Sequence, residues 1–346
     1  MFGYIEGRQD TKSFREAYVS GIKALIRDGY RVQEEKRTAY ISGIAQNPEK
    51  YRAEFRDMLG FPLNCPHCMA HKPSLTKILL YEDAEKAIYR ATVTVLDTVP
   101  FTGLLFLHKD EKDHPFIISQ HGGSGTPEVC SGLYEDGTYN YNNMTERIFR
   151  HGANVFAPQL LLWSDEYESD NFKRDDRNII DAQLKQLGGS ITALEVFCIM
   201  KSLDAFCEVG IADENHLGMI GLSYGGFYTL FTAAAEPRIK AALSCSFYNK
   251  RDQYVWIDWT WMSSATKFFD AEVAMLVYPR CLRIAVGDND GMFDSKLAEA
   301  EFDRLRQLSQ QAYGRTDWLD TRVFPGTHEF IQTDDYIEQV LEAVAK

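Results

Sequence analysis

The chain has 346 residues, 45% of them hydrophobic and 25% charged, the composition of a soluble globule with a sizeable core and not of a disordered segment. Its net charge of −13, with no Lys/Arg block to offset phosphate repulsion, argues against a nucleic-acid partner. The longest apolar runs, such as that from Leu160 to Trp163, fall far short of the roughly 20 residues a membrane span needs, and the first eight residues lack the pattern of a secretory signal. Seven cysteines is an odd number. Cys198, Cys207, Cys245 and Cys281 sit inside apolar patterns, and the set reads as reduced thiols in a cytoplasmic protein.

The first 75 or so residues differ from the rest. Phe14, Tyr18, Ile22 and Leu25 recur at helical spacing, predicting a helix over 13–28. Further helices are expected over 31–44 and 48–59, the last stopped by Gly60 and Pro62. Charge is too dense here for an independent core, so residues 1–75 read as a helical arm lying on the main domain or on a second subunit. Residues 76–346 read as the main domain.

In that domain Tyr89, Ala91, Val93 and Val95 alternate with polar residues, predicting a half-buried strand. Strands follow over 102–108 and 116–120, then a short one over 154–158. Next come a helix over 191–207, a strand over 216–222, a helix over 224–235, and strands over 241–247, 282–286 and 321–324. A helix over 334–345 ends the chain. Antiparallel strands first and β-α repeats afterwards predict an α/β fold: a mixed, mainly parallel twisted sheet with helices on both faces. No internal repeat or low-complexity segment is present.

The strongest chemical signal is Gly221-Leu222-Ser223-Tyr224-Gly225-Gly226. It follows an apolar strand and opens a helix, the context a nucleophile elbow requires: glycines admit a sharp turn, and the helix N-terminus points free N–H groups at the site. A serine hydroxyl needs a base, and the base an orienting carboxylate. Asp288 and Asp290 lie at the end of an apolar strand, and His328 lies in the loop after the last strand, in the chain order Ser, Asp, His. Gln120-His121-Gly122-Gly123-Ser124-Gly125 follows another strand, where a glycine loop can supply oxyanion N–H donors. His121 reads as a structural residue holding this loop.

These four motifs together resemble the α/β-hydrolase superfamily over residues 80–346, and within it the dienelactone hydrolase and acetyl xylan esterase-like branch, which is related to prolyl oligopeptidase-type catalytic domains. The resemblance implies a serine hydrolase acting on a carboxylic ester through an acyl-enzyme. Ser223 would be the nucleophile, His328 the base, and Asp290, last in its Gly-x-x-Asp turn, the acid. Gly122, Gly123 and Tyr224 would form the oxyanion hole. Two departures stand out: dienelactone hydrolases proper use a cysteine nucleophile, and the first 80 residues cannot form the propeller of prolyl oligopeptidases. A peptidase with a short arm and a catalytically silent binding protein on the same scaffold remain alternatives.

No cofactor or metal is implied. Cys65-Pro66-His67-Cys68 lacks the second ligand pair that structural zinc needs and reads as a loop. The acidic run at 165–170 lacks the spacing of a calcium loop and reads as solvated. Trp256, Trp259 and Trp261 fall in a dense aromatic stretch after the 241–247 strand. They are expected either to wall a substrate pocket or to pack a connecting helix onto the sheet. The partners expected are a small ester substrate and, through the arm, a second copy of the chain; no nucleic acid and no membrane is expected.

Overall fold

The computed structural model describes residues 3–135, 137–162 and 174–346. Helices α1 (Lys12–Ile41), α2 (Pro48–Leu59) and α3 (Pro66–Ala70) come first. Strands β1 (Ser74–Glu82), β2 (Lys86–Leu96) and β3 (Val99–His108) follow, then β4 (Phe116–Gln120), α4 (Pro127–Cys130), α5 (Met144–Arg150) and β5 (Asn154–Pro158). The alternating half comprises α6 (Arg174–Gln186), α7 (Ile191–Glu208), β6 (Leu217–Leu222), α8 (Tyr224–Ala235) and β7 (Ile239–Cys245). It ends with α9 (Ser264–Lys267), α10 (Asp270–Met275), β8 (Cys281–Gly287), α11 (Ser295–Tyr313), β9 (Leu319–Phe324) and α12 (Asp335–Val344).

Among the described residues the strands make one nine-stranded sheet in the order β1-β2-β3-β5-β4-β6-β7-β8-β9. β1, β2, β3 and β5 pair antiparallel, and every pair from β5–β4 to β8–β9 is parallel. The mainly parallel sheet expected from the sequence is therefore present. Its central strands are buried on both faces: all six residues of β6 and all five of β4 are inaccessible. One face is covered by α2, α7, α8, α10 and α11 and the other by α4, α5 and α12. Every residue of α8 is buried, so this helix runs through the interior and fixes its N-terminus firmly against the sheet.

Local chemistry sets the ends of these elements. Asn47 caps α2 by accepting from Lys50 N at 3.2 Å, with proline next in line, and Ser190 caps α7 through Ala193 N at 3.0 Å. Three expectations need correction. The helices predicted over 13–28 and 31–44 are one helix, α1, which runs on through Gly29; a single interior glycine costs about 1 kcal/mol and does not by itself end a helix. β1 was not anticipated: it is an edge strand exposed on nearly all residues, so it carries no apolar alternation to read. The 19-residue α11 was also missed, although Asp294 caps it and Gly314 ends it in the left-handed region.

Within residues 1–75, Ile41, Tyr51, Phe55 and Leu59 join the same core as α8, while α1 before Tyr30 stands clear of the body. Cys65 caps α3, its sulfur accepting from Cys68 N at 3.5 Å, and none of the seven cysteines is disulfide-bonded. Among the described residues no helix is long and apolar enough to cross a membrane. The acidic run at 165–170 lies outside the described residues.

Candidate active site

Ser223 sits between β6 and α8 at φ 58° and ψ −121°, a strained conformation for a non-glycine residue that aims its side chain away from the sheet. The flanking glycines are there for space. A Cβ on Gly221 would collide with the Gly225 carbonyl, one on Gly225 with the Gln120 carbonyl, and one on Gly226 would stand 2.6 Å from Cys245 O. The loop after β4 is equally close, since a Cβ on Gly122 would lie 2.9 Å from Ser223 Cβ. β4 and β6 are adjacent and parallel, while the chain continues from β4 to one side and from β6 to the other. Ser223 thus stands at the C-terminal edge of the sheet beside the topological switch point.

Asp290 and His328 meet at that edge. His328 Nδ1 lies 2.9 Å from Asp290 Oδ2 and 3.1 Å from Oδ1. The carboxylate has no exposed surface and also accepts from Met292 N at 2.8 Å and Phe293 N at 3.1 Å, so its orientation is fixed. Asp288 does different work: its Oδ1 accepts from Gly326 N at 3.0 Å and fastens the His328 loop to the end of β8. Gly287 lets the two loops touch, because any Cβ there would overlap the Thr327 carbonyl.

A second clamp comes from residues the sequence did not flag. Asn140 Nδ2 donates to His328 O at 2.9 Å, and Phe330 N donates to Asn140 O at 2.8 Å. Asn142 Nδ2 donates to Phe330 O at 2.6 Å and to Glu329 Oε2 at 2.8 Å, a hydrogen bond that holds the Glu329 carboxyl below its usual range. The signal available was the Tyr139-Asn140-Tyr141-Asn142-Asn143 run. Tyr139, Asn142 and Asn143 adopt positive φ, and asparagine tolerates that region well.

Gly122, Gly123, Ser124, Tyr141, Ser223, Tyr224, Trp256, Met292 and His328 line one cavity of about 200 Å³. Among the described residues Ser223 Oγ makes no hydrogen bond, to His328 or otherwise; such bonds are often loose before substrate arrives. The Gly122 N–H is committed to the Tyr141 hydroxyl at 2.9 Å, which removes it from the expected oxyanion donors. Gly123 N has no partner among the described residues, and Tyr224 N stands at the first position of α8, beside Ser223.

His121 is fully buried. Its Nε2 accepts from Leu160 N at 3.0 Å, so Nδ1 carries the proton and donates to Gly122 O at 2.9 Å. Burial pushes its pKa down to about 4, leaving a neutral ring that holds the glycine loop.

The tryptophans divide. Trp256 is half-buried, lines the cavity and stacks on Tyr224 at 5.7 Å. Trp259, 1% exposed, and Trp261 belong to the core and not to the pocket wall. Trp259 stacks on Phe227 at 4.9 Å and meets Phe247 edge-on at 5.2 Å. Behind this wall lies a buried charge knot. Arg177 donates to Asp258 Oδ2 at 2.8 Å, Glu195 Oε2 at 3.1 Å, Tyr228 Oη at 2.7 Å and Leu161 O at 2.6 Å, and the Tyr224 hydroxyl donates to the same Asp258 oxygen at 3.0 Å.

The sheet order and the strand–serine–helix turn are those of the α/β-hydrolase fold. Several solved structures that superpose on this chain carry esterase names. A protein from Bacteroides fragilis proposed to be an acetyl xylan esterase superposes with a TM-score of 0.65 at 14% identity, over 80% of this chain and 74% of its own. A glucuronoyl esterase from Solibacter usitatus gives 0.60 at 14% identity, over 88% of this chain and 92% of its own. Acetyl xylan esterase 1 from Thermoanaerobacterium gives 0.55 at 16%, over 86% and 93%. At these identities the likeness is one of fold. In sequence, acylamino-acid-releasing enzyme 1 from Oryza sativa subsp. japonica is 23% identical over 167 residues, 48% of this chain and 18% of that protein, so the match spans under a fifth of the relative's length. No family model matches the sequence.

Proposed function

We propose that the protein is a serine esterase that cleaves small carboxylic esters through an acyl-enzyme. The observation that carries this reading is the buried Asp290 carboxylate on His328 Nδ1, with the imidazole in the same cavity as the strained Ser223. Asp290 holds Nδ1 protonated, which leaves Nε2 as the base. Ser223 Oγ gives its proton to Nε2 as it attacks the ester carbonyl. The N–H groups of Gly123 and Tyr224 stabilise the oxyanion, worth on the order of 10²–10³ in rate per donor. The alcohol leaves with the proton from His328, and a water activated by the same nitrogen releases the acid. The esterase names of the solved relatives agree with an ester substrate. A cavity of about 200 Å³ suits a small acyl group such as acetyl, and the Trp256 face beside it suits a sugar or aryl alcohol.

The match to the acylamino-acid-releasing enzyme favours a second reading, release of an N-acyl amino acid. Aryl acetates and N-acetyl-alanine anilide compared at equal concentration separate the two. Fluorophosphonate should label the wild-type protein and not Ser223→Ala, and that variant and Asp290→Asn should lose aryl acetate hydrolysis by several orders of magnitude. Full activity in Ser223→Ala would refute the mechanism, and an unlabelled, inactive wild type would identify a silent scaffold.

A further inference from the structure

The feature left unused by the proposed chemistry is α1. It is about 45 Å long at the helical rise, yet no residue before Arg37 is buried. Its attachment to the body is confined to the C-terminal end. Tyr30 meets Phe269 at 6.2 Å, and Arg37 donates to Ala265 O at 2.6 Å with its guanidinium over the Phe269 ring. The free part has two distinct faces. Phe14, Tyr18, Ile22, Leu25, Ile26 and Val32 share one, and Glu16, Ser20, Lys23, Arg27, Arg31 and Glu34 lie on the other. The apolar six are bare, from 39% exposed at Ile22 to 73% at Leu25.

Such a rod does not stand alone in water. Thr11 provides no side-chain cap, the first turn has no acidic residue and the last no basic one, and Gly21 and Gly29 lie in the interior. A free helix of this length and composition is marginal without tertiary cover. Side chains of this size at these exposures present on the order of 600 Å² of apolar surface, the upper end of what a monomer leaves open. Two such faces set together give about 1,200 Å², where stable interfaces begin.

We propose that α1 is the dimerisation element, packing antiparallel against α1 of a second copy about a two-fold axis between Lys23 and Ala24. That register sets Ile22 against Leu25 and Tyr18 over Gly29, a large residue opposite the smallest, on both sides of the axis. The apolar face carries one charge, Arg15 near the tip, and none from Tyr18 to Val32, so its middle offers nothing to a charged partner and nothing that repels its own copy. The opposite face mixes acidic with basic residues on a chain of net charge −13, unlike the basic face of a membrane-surface helix. The antiparallel arrangement also keeps the two bodies at opposite ends of the pair, with the tip of each arm reaching its partner's Tyr30–Arg37 segment.

Sedimentation of the full chain at micromolar concentration should give a dimer, and Leu25→Glu should give a monomer with an unchanged thermal melt of the body. Mixing Tyr18→Cys chains with Gly29→Cys chains under oxidation should yield cross-linked dimers that neither forms alone. A monomeric wild type, or a dimer that survives Leu25→Glu, overturns the proposal. Cross-linking of Tyr18→Cys by itself overturns the antiparallel register. Flotation of a monomeric wild type with phosphatidylserine vesicles overturns it as well and assigns the face to a membrane.

Discussion

Gly287→Ala is a methyl group added one strand away from the reacting atoms. The new Cβ would overlap the Thr327 carbonyl and stand 2.7 Å from Gly326 O, where ordinary contact begins at 3.4 Å. Relief at Gly326 alone requires 3.4 − 2.7 = 0.7 Å of withdrawal, and the overlap at Thr327 requires more. The segment that must move is the one carrying His328, next in sequence. Its Nδ1 is 2.9 Å from Asp290, so a shift of this size stretches the bond past the range in which it orients the ring. Displacement of a catalytic group by about 1 Å costs on the order of 10² in rate, while overpacking of this kind costs ~1–3 kcal/mol of stability. The expected outcome is a kcat for aryl acetate lowered about a hundredfold, KM changed little, and a melting temperature only a few degrees lower. Fluorophosphonate labelling should slow in parallel with kcat. A variant with kcat within threefold of wild type and an unchanged melt would show that the contact between the β8 end and the His328 loop does not set the geometry of the base.

Trp259→Ala should destabilise the fold by roughly 3–5 kcal/mol in denaturant titration and leave the ranking of ester substrates unchanged. Trp256→Ala should instead alter KM and substrate preference with a smaller stability loss than Trp259→Ala, because its ring is only half-buried; the reverse pattern would exchange their roles. His121 titrates near 6.5 when unfolded and is held down to about 4 in the fold, so between those values the unfolded chain binds the extra proton. Stability should therefore fall as pH drops from about 6.5 to about 4, by on the order of 3 kcal/mol from this group, and His121→Gln should flatten that part of the profile. An unaltered slope in the variant would remove His121 as the cause.

Ser223 and His328 stand out as candidates because their signals are local: a turn too tight for side chains leaves glycines in the sequence, and a histidine falls between the last strand and the last helix. The carboxylate proposed as the acid needed the resemblance in addition, since Asp288 and Asp290 are equivalent until one sees that the first bonds to a backbone amide and the second to the imidazole. The tryptophans were not separable. Periodicity and composition report that a ring wants to leave water, not whether it finds the core, as Trp259 does, or the cavity, as Trp256 does. Tyr141 and Asn140 were invisible for another reason: their partners, Gly122 and His328, are 19 and 188 residues away, and no local pattern marks a contact at that separation. β1 escaped because exposure on both faces erases the two-residue period from which strands are recognised.

The knot around Arg177 divides the pocket wall by how freely it can change. Arg177, Glu195 and Asp258 are all buried, and the hydroxyls of Tyr224 and Tyr228 are spent on the same carboxylates, so replacing any one charged member strands its partners in a dry interior at a cost of about 3–5 kcal/mol. That is a large share of the stability of a domain, and only concerted replacement of several members avoids it. Met292, 50% exposed, lines the cavity outside that knot. Mutational drift and laboratory selection alike therefore have a narrow route to a differently shaped cavity in this chain: single steps at the rim, with the tyrosine next to Ser223 locked in its orientation by ionic partners that cannot be exchanged one at a time.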